Sequence, residues 1–285
     1  MPSLQIINRR RQSVRNTRQI TKAMQMVAAS KLRRAQMAAT GPQAYTQAAR
    51  ELLANLGMQS VAATHPLFAV RPVKNVLTIV IAGDRGMAGG YNSNVIRALG
   101  RHIKEVPGTH KAIAIGKRAA SSVARAKDIE EIASFDADVH DTATMVALPV
   151  LQKVTELYEA GEIDAVYVIS TDFISTVTQK VALRQVLPVT PPDKAEDAVQ
   201  AEMEPAPEDL IDTAVRRVLE AEVLQAVLEA RASEEASRMI AMMNASDNAS
   251  DIISDLTLLF NNARQGKITQ EISEISAGAE AISKQ

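Results

Sequence analysis

The spacing of hydrophobic residues changes twice along the chain, from a helical period to a strand-like period and back again. From Leu4 to about Leu56 the only helix-breaking pair is Gly41-Pro42, and apolar residues recur at steps of three and four. This spacing predicts an amphipathic helix of roughly 50 residues. Its apolar stripe consists of Val14, Thr17, Ile20, Met24, Val27 and Ala28.

A second long helix is predicted at the other end of the chain. Leu210 to Ile282 contains no proline, and its only glycines are Gly266 and Gly278. Two long amphipathic helices of this kind are most simply paired as an antiparallel coiled coil. The last part of the second helix carries a seam with alternating steps of four and three, formed by Ile268, Ile272, Ile275, Ala279 and Ile282.

Between the two helices the pattern becomes that of alternating strands and helices. Val76 to Ala82 is a continuous β-branched, apolar run, which is typical of a buried parallel strand. Such alternation predicts a central Rossmann-like α/β domain with a mainly parallel sheet. The other predicted strands are 111–115, 165–170 and 176–187, and the predicted helices are 92–105, 117–126 and 142–159.

These elements divide the chain into four parts. We expect an N-terminal shaft helix over 1–56 and a central α/β domain over 74–190. An acidic, proline-containing loop over 191–208 then leads into a C-terminal shaft helix over 209–285.

The charge distribution supports the pairing of the two helices, although the net charge of the chain is only -1. Residues 1–50 contain ten Lys and Arg and no acidic residue, whereas residues 193–285 contain 19 acidic residues against 8 basic ones. Exposed ion pairs contribute only about 0 to 1 kcal/mol each, so the charges set the register and the apolar seam supplies the stability. The basic N-terminus also resembles a mitochondrial transit peptide, but its pattern runs on too far for one.

The candidate chemistry of the chain is sparse. With no cysteine, the chain has neither a disulfide nor a thiolate metal site. The glycines of loop 83–90 do not have the G-x-G-x-x-G spacing, and Gly116-Lys117-Arg118 does not complete a Walker loop, so the loop is predicted to fix close strand-to-helix packing. No catalytic, cofactor or metal site is predicted, and the four histidines are predicted to be surface residues: His65, His102, His110 and His140.

Two classes of partner are disfavoured by composition. Aromatic residues make up only 3% of the chain, and the basic helix has an acidic helix to pair with, so a nucleic-acid interface is not predicted. No apolar run approaches the roughly 18 residues of a transmembrane helix, so direct insertion into the bilayer is not predicted either.

Three segments spread over the chain carry a resemblance to a known family. They are 13–33 (SVRNTRQITKAMQMVAASKLR), 84–92 (DRGMAGGYN) and the C-terminal stretch 238–279, with RMIAM, NARQ and ITQEISEISAGA. In this order and spacing they resemble the gamma subunit of F-type ATP synthases. Ala88 occupies a place where cysteine is frequent in that family.

The resemblance implies a non-catalytic rotor subunit. The terminal helices would form a shaft inside a ring of alternating alpha and beta subunits, and the α/β domain would form a foot on the membrane c-ring beside the epsilon subunit. Proton flow through the c-ring would turn the shaft and drive ATP synthesis or hydrolysis at the beta subunits. A bacterial protein on the cytoplasmic face of the plasma (inner) membrane, bound there peripherally, is the natural expectation.

The resemblance also implies roles for individual residues. Lys22 and Met24 would meet the lever region of a beta subunit, although Met24 also suits plain coiled-coil packing. Glu204 would contact the polar loop of the c-ring, but Ala201 stands where some members have an aromatic residue. Five C-terminal positions are linked to shaft-to-ring contact and coupling: Arg238, Gln265, Thr269, Glu271 and Glu274.

Two other functions stay open at the level of the sequence. One is an α/β nucleotide-dependent enzyme with a coiled-coil dimerisation arm, and the other is a coiled-coil scaffold unrelated to energy coupling. An enzyme would bind its nucleotide alone, whereas a rotor would bind none and would assemble with alpha and beta subunits.

Overall fold

The computed structural model describes residues 3–57, 65–137, 143–189 and 207–283. Two long helices, one near each end of the chain, enclose in sequence a five-stranded sheet and three shorter helices. The helices are α1 (Leu4–Gly57), α2 (Tyr91–Glu105), α3 (Lys117–Val123), α4 (Ala143–Glu159) and α5 (Pro207–Ser283). The strands are β1 (Asn75–Ile81), β2 (Thr109–Ile115), β3 (Ile129–Phe135), β4 (Ala165–Phe173) and β5 (Gln179–Leu187).

The sheet has the order β3-β2-β1-β4-β5, and only β5 runs antiparallel to its neighbour. Strand β1 lies in the middle, which explains its continuous apolar sequence, because both of its faces are covered. The predicted mixed α/β fold with a mainly parallel sheet is therefore confirmed.

Strand β3 is the one strand of the described sheet that the sequence pattern did not predict. It contains Glu130 and Glu131, and it lies at the edge of the sheet beside β2. Its register against β2 shifts between Ala112 and Ile113. Edge strands often contain charged residues and irregular pairing, so their alternation of apolar and polar residues is weak. This explains why the sequence pattern did not reveal β3.

The chain divides into two compact units, Met1–Val27 with Met239–Gln285 and, second, Ala28–Arg238. In the second unit each face of the sheet has its own core. Leu77 and Ile79 of β1 pack with residues of α4 and α5, whereas Val80 packs with residues of α2 and α3. Among the α1 side chains of this unit whose burial is described, the buried ones are Ala28, Leu32, Ala39 and Thr46.

In the first unit α1 and α5 run antiparallel, as the sequence predicts. Thr21 Oγ1 lies 2.7 Å from Ser246 Oγ, and the Arg11 guanidinium lies 4.9 Å from the ring centroid of Phe260. Residue numbers thus fall along α1 as they rise along α5. Ile7 is buried in this unit.

The predicted apolar stripe of α1 is only partly correct. Ile20 and Val27 are 60% and 57% exposed, whereas the polar residues Arg11 and Thr21 lie on the inner face. Arg11 and Thr21 can lie on the face of α1 that packs against α5, because each has a partner on α5. A prediction from the spacing of apolar residues alone therefore chose the neighbouring face of α1.

The predicted seam near the end of α5 is also exposed within the chain. The exposed fractions of Ile268, Ile272 and Ile275 are 47%, 58% and 73%. None of the described helices combines the length and the hydropathy that a membrane span requires.

Gly41 and Gly266 lie in the interiors of the two long helices. Helix α1 continues through Gly41-Pro42, and α5 continues through Gly266. A Cβ added at Gly41 or at Gly266 would meet no atom within 4 Å, so packing does not require glycine at either position.

Candidate functional site at the carboxyl edge of the sheet

The carboxyl end of β1 is the point at which the order of the sheet reverses, because β2 lies on one side of β1 and β4 on the other. In doubly wound sheets this switch point is where ligands usually bind. The glycine-containing loop 83–90 follows β1 at this place, so the loop is the first candidate for a functional site.

Side-chain hydrogen bonds fix the loop to the elements around it. Gly83 N donates to Asn92 Oδ1 at 2.9 Å, and Asn92 Nδ2 donates to Arg85 O at 3.1 Å. Asp84 Oδ1 accepts from Lys117 N at 2.8 Å and from Ala137 N at 3.3 Å. The loop is thereby held against the starts of α2 and α3 and the segment that follows β3.

Helix α5 lies across this edge of the sheet and occupies the place of a ligand. A Cβ added at Gly83 would lie 2.5 Å from Glu234 Oε1 and 2.6 Å from Glu234 Cδ. Ser233 Oγ donates to Thr171 O at 3.0 Å, at the end of β4. Glycine at position 83 therefore makes room for the Glu234 carboxylate, and a larger residue would force that carboxylate to shift.

Three charged residues of α5 form a compact ion cluster beside Gly83. Arg238 pairs with Glu234 through one guanidinium nitrogen and with Glu235 at 2.7 Å through the other. The side chains of Arg238, Glu234 and Glu235 are only 11%, 14% and 15% exposed. Lys31 of α1 adds a longer contact of 4.0 Å to Glu235. A bridged pair of this kind is costly to break, because removing one partner leaves a buried charge without compensation.

Burial dominates the electrostatics of the cluster. It raises the pKa of Glu234, and the Arg238 charge opposes this shift. Burial lowers the pKa of Arg238, but Glu234 and Glu235 outweigh it, so the net shift of that pKa is upward and the guanidinium stays charged. Burial also raises the pKa of Tyr91, so its phenol stays neutral beside the cluster.

Of the residues predicted to carry function, the structure places only Arg238 in this cluster. Met24 is half-buried, and Lys22 is exposed with its Nζ 3.2 Å from Gln25 Oε1. Glu204 lies outside the described residues. The remaining four are exposed on α5 and make only local contacts within that helix: Gln265, Thr269, Glu271 and Glu274.

The sequence-based prediction missed Glu234, Glu235 and Tyr91. The spacing of Glu234 and Glu235 to Arg238, at four and three residues, was the available signal, because such pairs face one another on a helix. Their burial could not be read from the sequence, since it depends on the loop after β1.

The prediction that all four histidines lie at the surface is wrong for His102 and His110, which are 1% and 5% exposed. His102 follows Val95 and Leu99 on the buried face of α2, and its ring centroid lies 6.0 Å from that of His110. The pKa of His102 is lowered mainly by its burial and, to a smaller extent, by the nearby His110. Within the described ranges, no group of three or more His, Cys, Asp or Glu is arranged to hold a metal ion.

The fold and the site define the class of the protein. It is an α/β protein in which two long helices pack against the central sheet and one of them, α5, covers the switch point at the carboxyl end of β1. A family model described as ATP synthase matches residues 3–282. The chain is 40% identical over 282 residues to the ATP synthase gamma chain of Desulfitobacterium hafniense, covering 99% of this chain and all of that one. It is 39% identical over 293 residues to the gamma chain of Heliobacterium modesticaldum, with the same coverage. The chain belongs to the ATP synthase gamma chain family.

Solved structures share this fold at lower identity. The rotor of the Euglena gracilis mitochondrial ATP synthase superimposes with a TM-score of 0.70 at 19% identity, over 93% of this chain and 98% of that one. The central stalk and c-ring structure of the Tetrahymena thermophila mitochondrial enzyme gives a TM-score of 0.63 at 24% identity, over 80% of this chain and 99% of that one.

Proposed function

We propose that the chain is the central rotor shaft of an F-type ATP synthase, which couples proton flow through a membrane c-ring to ATP synthesis or hydrolysis at the beta subunits. The observation that carries this proposal is the match at 40% identity, over essentially the whole chain, to ATP synthase gamma chains. The exposed isoleucines of α5 support it, because a contiguous apolar surface on a helix is typical of a segment that partner subunits surround.

The proposed rotor is non-catalytic. The position of α5 supports this, because Glu234 and Ser233 fill the carboxyl edge of the sheet where an α/β enzyme would receive its nucleotide. Catalysis would reside in the beta subunits, and this chain would act by presenting different contacts to each of them as it turns.

The partners follow from the family. Alpha and beta subunits would surround the paired helices, and the epsilon subunit and the c-ring would contact the α/β domain, with Glu204 toward the c-ring. The complex would be peripheral on the cytoplasmic face of a bacterial plasma membrane. The exposed side chains proposed to meet the ring are Lys22, Gln265, Thr269, Glu271 and Glu274, together with the half-buried Met24 two residues after Lys22.

The role we propose for Arg238 is positional. Its guanidinium is held by two carboxylates of its own helix next to Gly83, so it is not available for a direct contact with a partner. It would fix α5 against the loop after β1, and torque on the α/β domain could then pass into α5 without slippage.

Co-expression with the cognate alpha and beta subunits tests the proposal. We expect the full chain to co-elute with them in gel filtration as an active ATPase, and a chain truncated after Ala249 to lose coupling or assembly. A full chain that elutes alone and turns over a nucleotide by itself would overturn the rotor proposal in favour of an α/β enzyme.

A further inference from the structure

The helices on the two faces of the central sheet differ in charge. Helices α2 and α3 cover one face, and α4 covers the other together with the part of α5 that belongs to the same unit. Helix α2 and the segment 117–128 contain seven basic residues against two acidic ones. Helix α4 and residues 207–238 of α5 contain ten acidic residues against five basic ones. The second unit therefore has a positive side and a negative side.

The basic side chains on the positive side are exposed. Arg97, Arg101 and Lys104 recur at steps of four and three residues, which places them along one side of α2. Arg97 NH1 donates to Asn94 Oδ1 at 3.3 Å, which is a neutral acceptor. The charges of this row are therefore spread along α2 over about two helical turns.

The segment 117–128 continues this charge beside α2. Arg125 Nε donates to the neutral Ser121 O at 2.7 Å. Lys117 Nζ lies 3.8 Å from Asp136 Oδ2, but both side chains are more than half exposed, so solvent weakens this pair. We call the seven exposed residues of the two segments the basic face: Arg97, Arg101, Lys104, Lys117, Arg118, Arg125 and Lys127.

The basic face lacks the apolar anchors of a protein interface. The structure describes all of α2 and of 117–128, and no large apolar side chain in these two segments is exposed. The core of a stable protein interface is rich in aromatic side chains and poor in charged ones. The two segments also expose no aromatic residue on which a nucleic-acid base could stack. A diffuse anionic surface therefore suits the basic face better than a shaped protein or a single-stranded nucleic acid.

We propose that the basic face binds the anionic headgroups of a phospholipid membrane without inserting into it. Clustered Lys and Arg are attracted to the surface of a bilayer that contains anionic lipid. The choice of a membrane rests on the proposed function, under which the c-ring holds the α/β domain next to a bilayer and the alpha and beta subunits enclose the basic residues of α1. Fluid headgroups offer no fixed partner, so such contacts would not hold the rotor at one angle.

The test is flotation of the full chain with lipid vesicles in a density gradient at about 0.1 M salt. We expect the chain to float with vesicles of equimolar phosphatidylglycerol and phosphatidylcholine, and not with vesicles of phosphatidylcholine alone. Aggregated protein sinks, so flotation reports lipid binding even for a chain with exposed apolar helices. Salt at about 1 M should release the chain, because the screening length is then only about 3 Å. Binding that persists at this salt, or on phosphatidylcholine alone, would indicate apolar insertion and overturn the proposal.

A triple variant of α2 locates the contact. Arg97→Gln, Arg101→Gln and Lys104→Gln together should weaken binding to the anionic vesicles at least tenfold, because each basic residue near such a surface contributes roughly a factor of five. A triple variant that binds like the wild type would leave the basic residues of α1 as the source of the attraction, and the proposal would be wrong.

The matched control removes the same number of exposed charges from outside the basic face. It combines Lys153→Gln on α4, Lys180→Gln on β5 and Arg217→Gln on α5. This variant should bind like the wild type. Equal losses in the two triple variants would show that only the net charge of the chain matters, which would also contradict the proposal.

Two further measurements separate other partners. The α2 triple variant should co-elute with alpha and beta subunits as the wild type does, and a loss of co-elution would reassign the basic face to a protein contact. Duplex DNA that binds more tightly than the vesicles, and whose binding the same variant loses, would reassign the face to nucleic acid.

The wild-type chain distinguishes this inference from the proposed function. Co-elution with alpha and beta subunits without flotation would overturn the lipid contact and leave the rotor function standing. Flotation without co-elution would do the reverse.

Discussion

The Glu234 carboxylate of α5 lies close to Gly83 in the loop after β1 and leaves no room there for a Cβ. The carboxylate of Glu234 cannot move away freely, because Arg238 holds it and the surrounding protein buries it. A methyl group at position 83 would therefore displace an ion cluster as well as a side chain.

We expect Gly83→Ala to lower the free energy of unfolding by about 1 to 3 kcal/mol, the usual cost of overpacking a buried site. Urea denaturation followed by circular dichroism measures this change. Gly100→Ala is the control, because Gly100 lies in α2 with no atom within 4 Å of the added Cβ, and it should stabilise the protein by roughly 0.5 to 1 kcal/mol. Equal effects of the two substitutions would refute a steric origin at Gly83.

A second prediction at the residue scale concerns how the stability of the fold depends on pH. The folded pKa of His102 lies below its unfolded value of 6.5, so the unfolded chain takes up this proton first as the pH falls. The stability contributed by neutral His102 is complete above pH 6.5 and is lost as the pH falls from 6.5 through the lowered folded pKa. His102 Nδ1 and Nε2 have no partner in the described structure, so His102→Leu removes no hydrogen bond.

We therefore expect the unfolding midpoint of His102→Leu to fall less steeply with decreasing pH below 6.5 than that of the wild type. Thermal unfolding at a series of pH values provides the comparison. Parallel curves for the two proteins would show that another group causes the acid sensitivity in this range.

At the scale of whole elements, the long helices contain interior glycines that lower helix stability although the packing around them does not need a glycine. Gly266 lies in the interior of α5 with open space where a side chain would be. Glycine costs a helix interior about 0.5 to 1 kcal/mol relative to alanine, so α5 is locally softer at this position.

We expect Gly266→Ala to slow hydrogen exchange of the α5 amides within one turn of position 266, by a factor corresponding to about 0.5 to 1 kcal/mol. Hydrogen exchange followed by mass spectrometry measures it. The reciprocal substitution Ala277→Gly, at an exposed position of the same helix, should speed exchange by a similar factor. An unchanged exchange rate in Gly266→Ala would mean that the helix is not limited by propensity there.

The elements were largely predictable from the sequence, and the failures have physical causes. Strand β1 and both long helices have strong patterns, because burial of both faces or uninterrupted helical spacing leaves a clear signal. Strand β3 was missed because edge strands need no continuous apolar face. At the candidate site, Arg238 was identified by family resemblance, but Glu234 and Tyr91 were not, because their burial depends on tertiary contact between a loop and a helix some 150 residues away.

At the scale of the whole chain, parts of both long helices expose apolar side chains to solvent. Ile268, Ile272 and Ile275 are exposed on α5, and Ile20 and Val27 are exposed on α1. Under the proposed function these residues are covered only when partner subunits are present, so the free chain should aggregate.

We expect Ile272→Asp combined with Ile275→Asp to raise the solubility of the free full chain and to weaken its assembly with alpha and beta subunits. Sedimentation and gel filtration of co-expressed subunits measure the two effects. Ile174→Asp is the control, since Ile174 is 61% exposed between β4 and β5 and belongs to the other compact unit. Its assembly should be unchanged, and a loss equal to that of the double variant would contradict the assignment of the contact surface to α5.

The closure of the sheet's carboxyl edge by α5 has a consequence for attempts to inhibit this chain with small molecules. The side chains that fill the edge belong to the same polypeptide, so they act as a tethered ligand whose effective concentration is millimolar or higher by analogy with short linkers. A nucleotide-like competitor from solution would have to exceed that concentration and also displace a buried ion cluster. Compounds directed at the switch point of this sheet would thus be outcompeted by the protein itself.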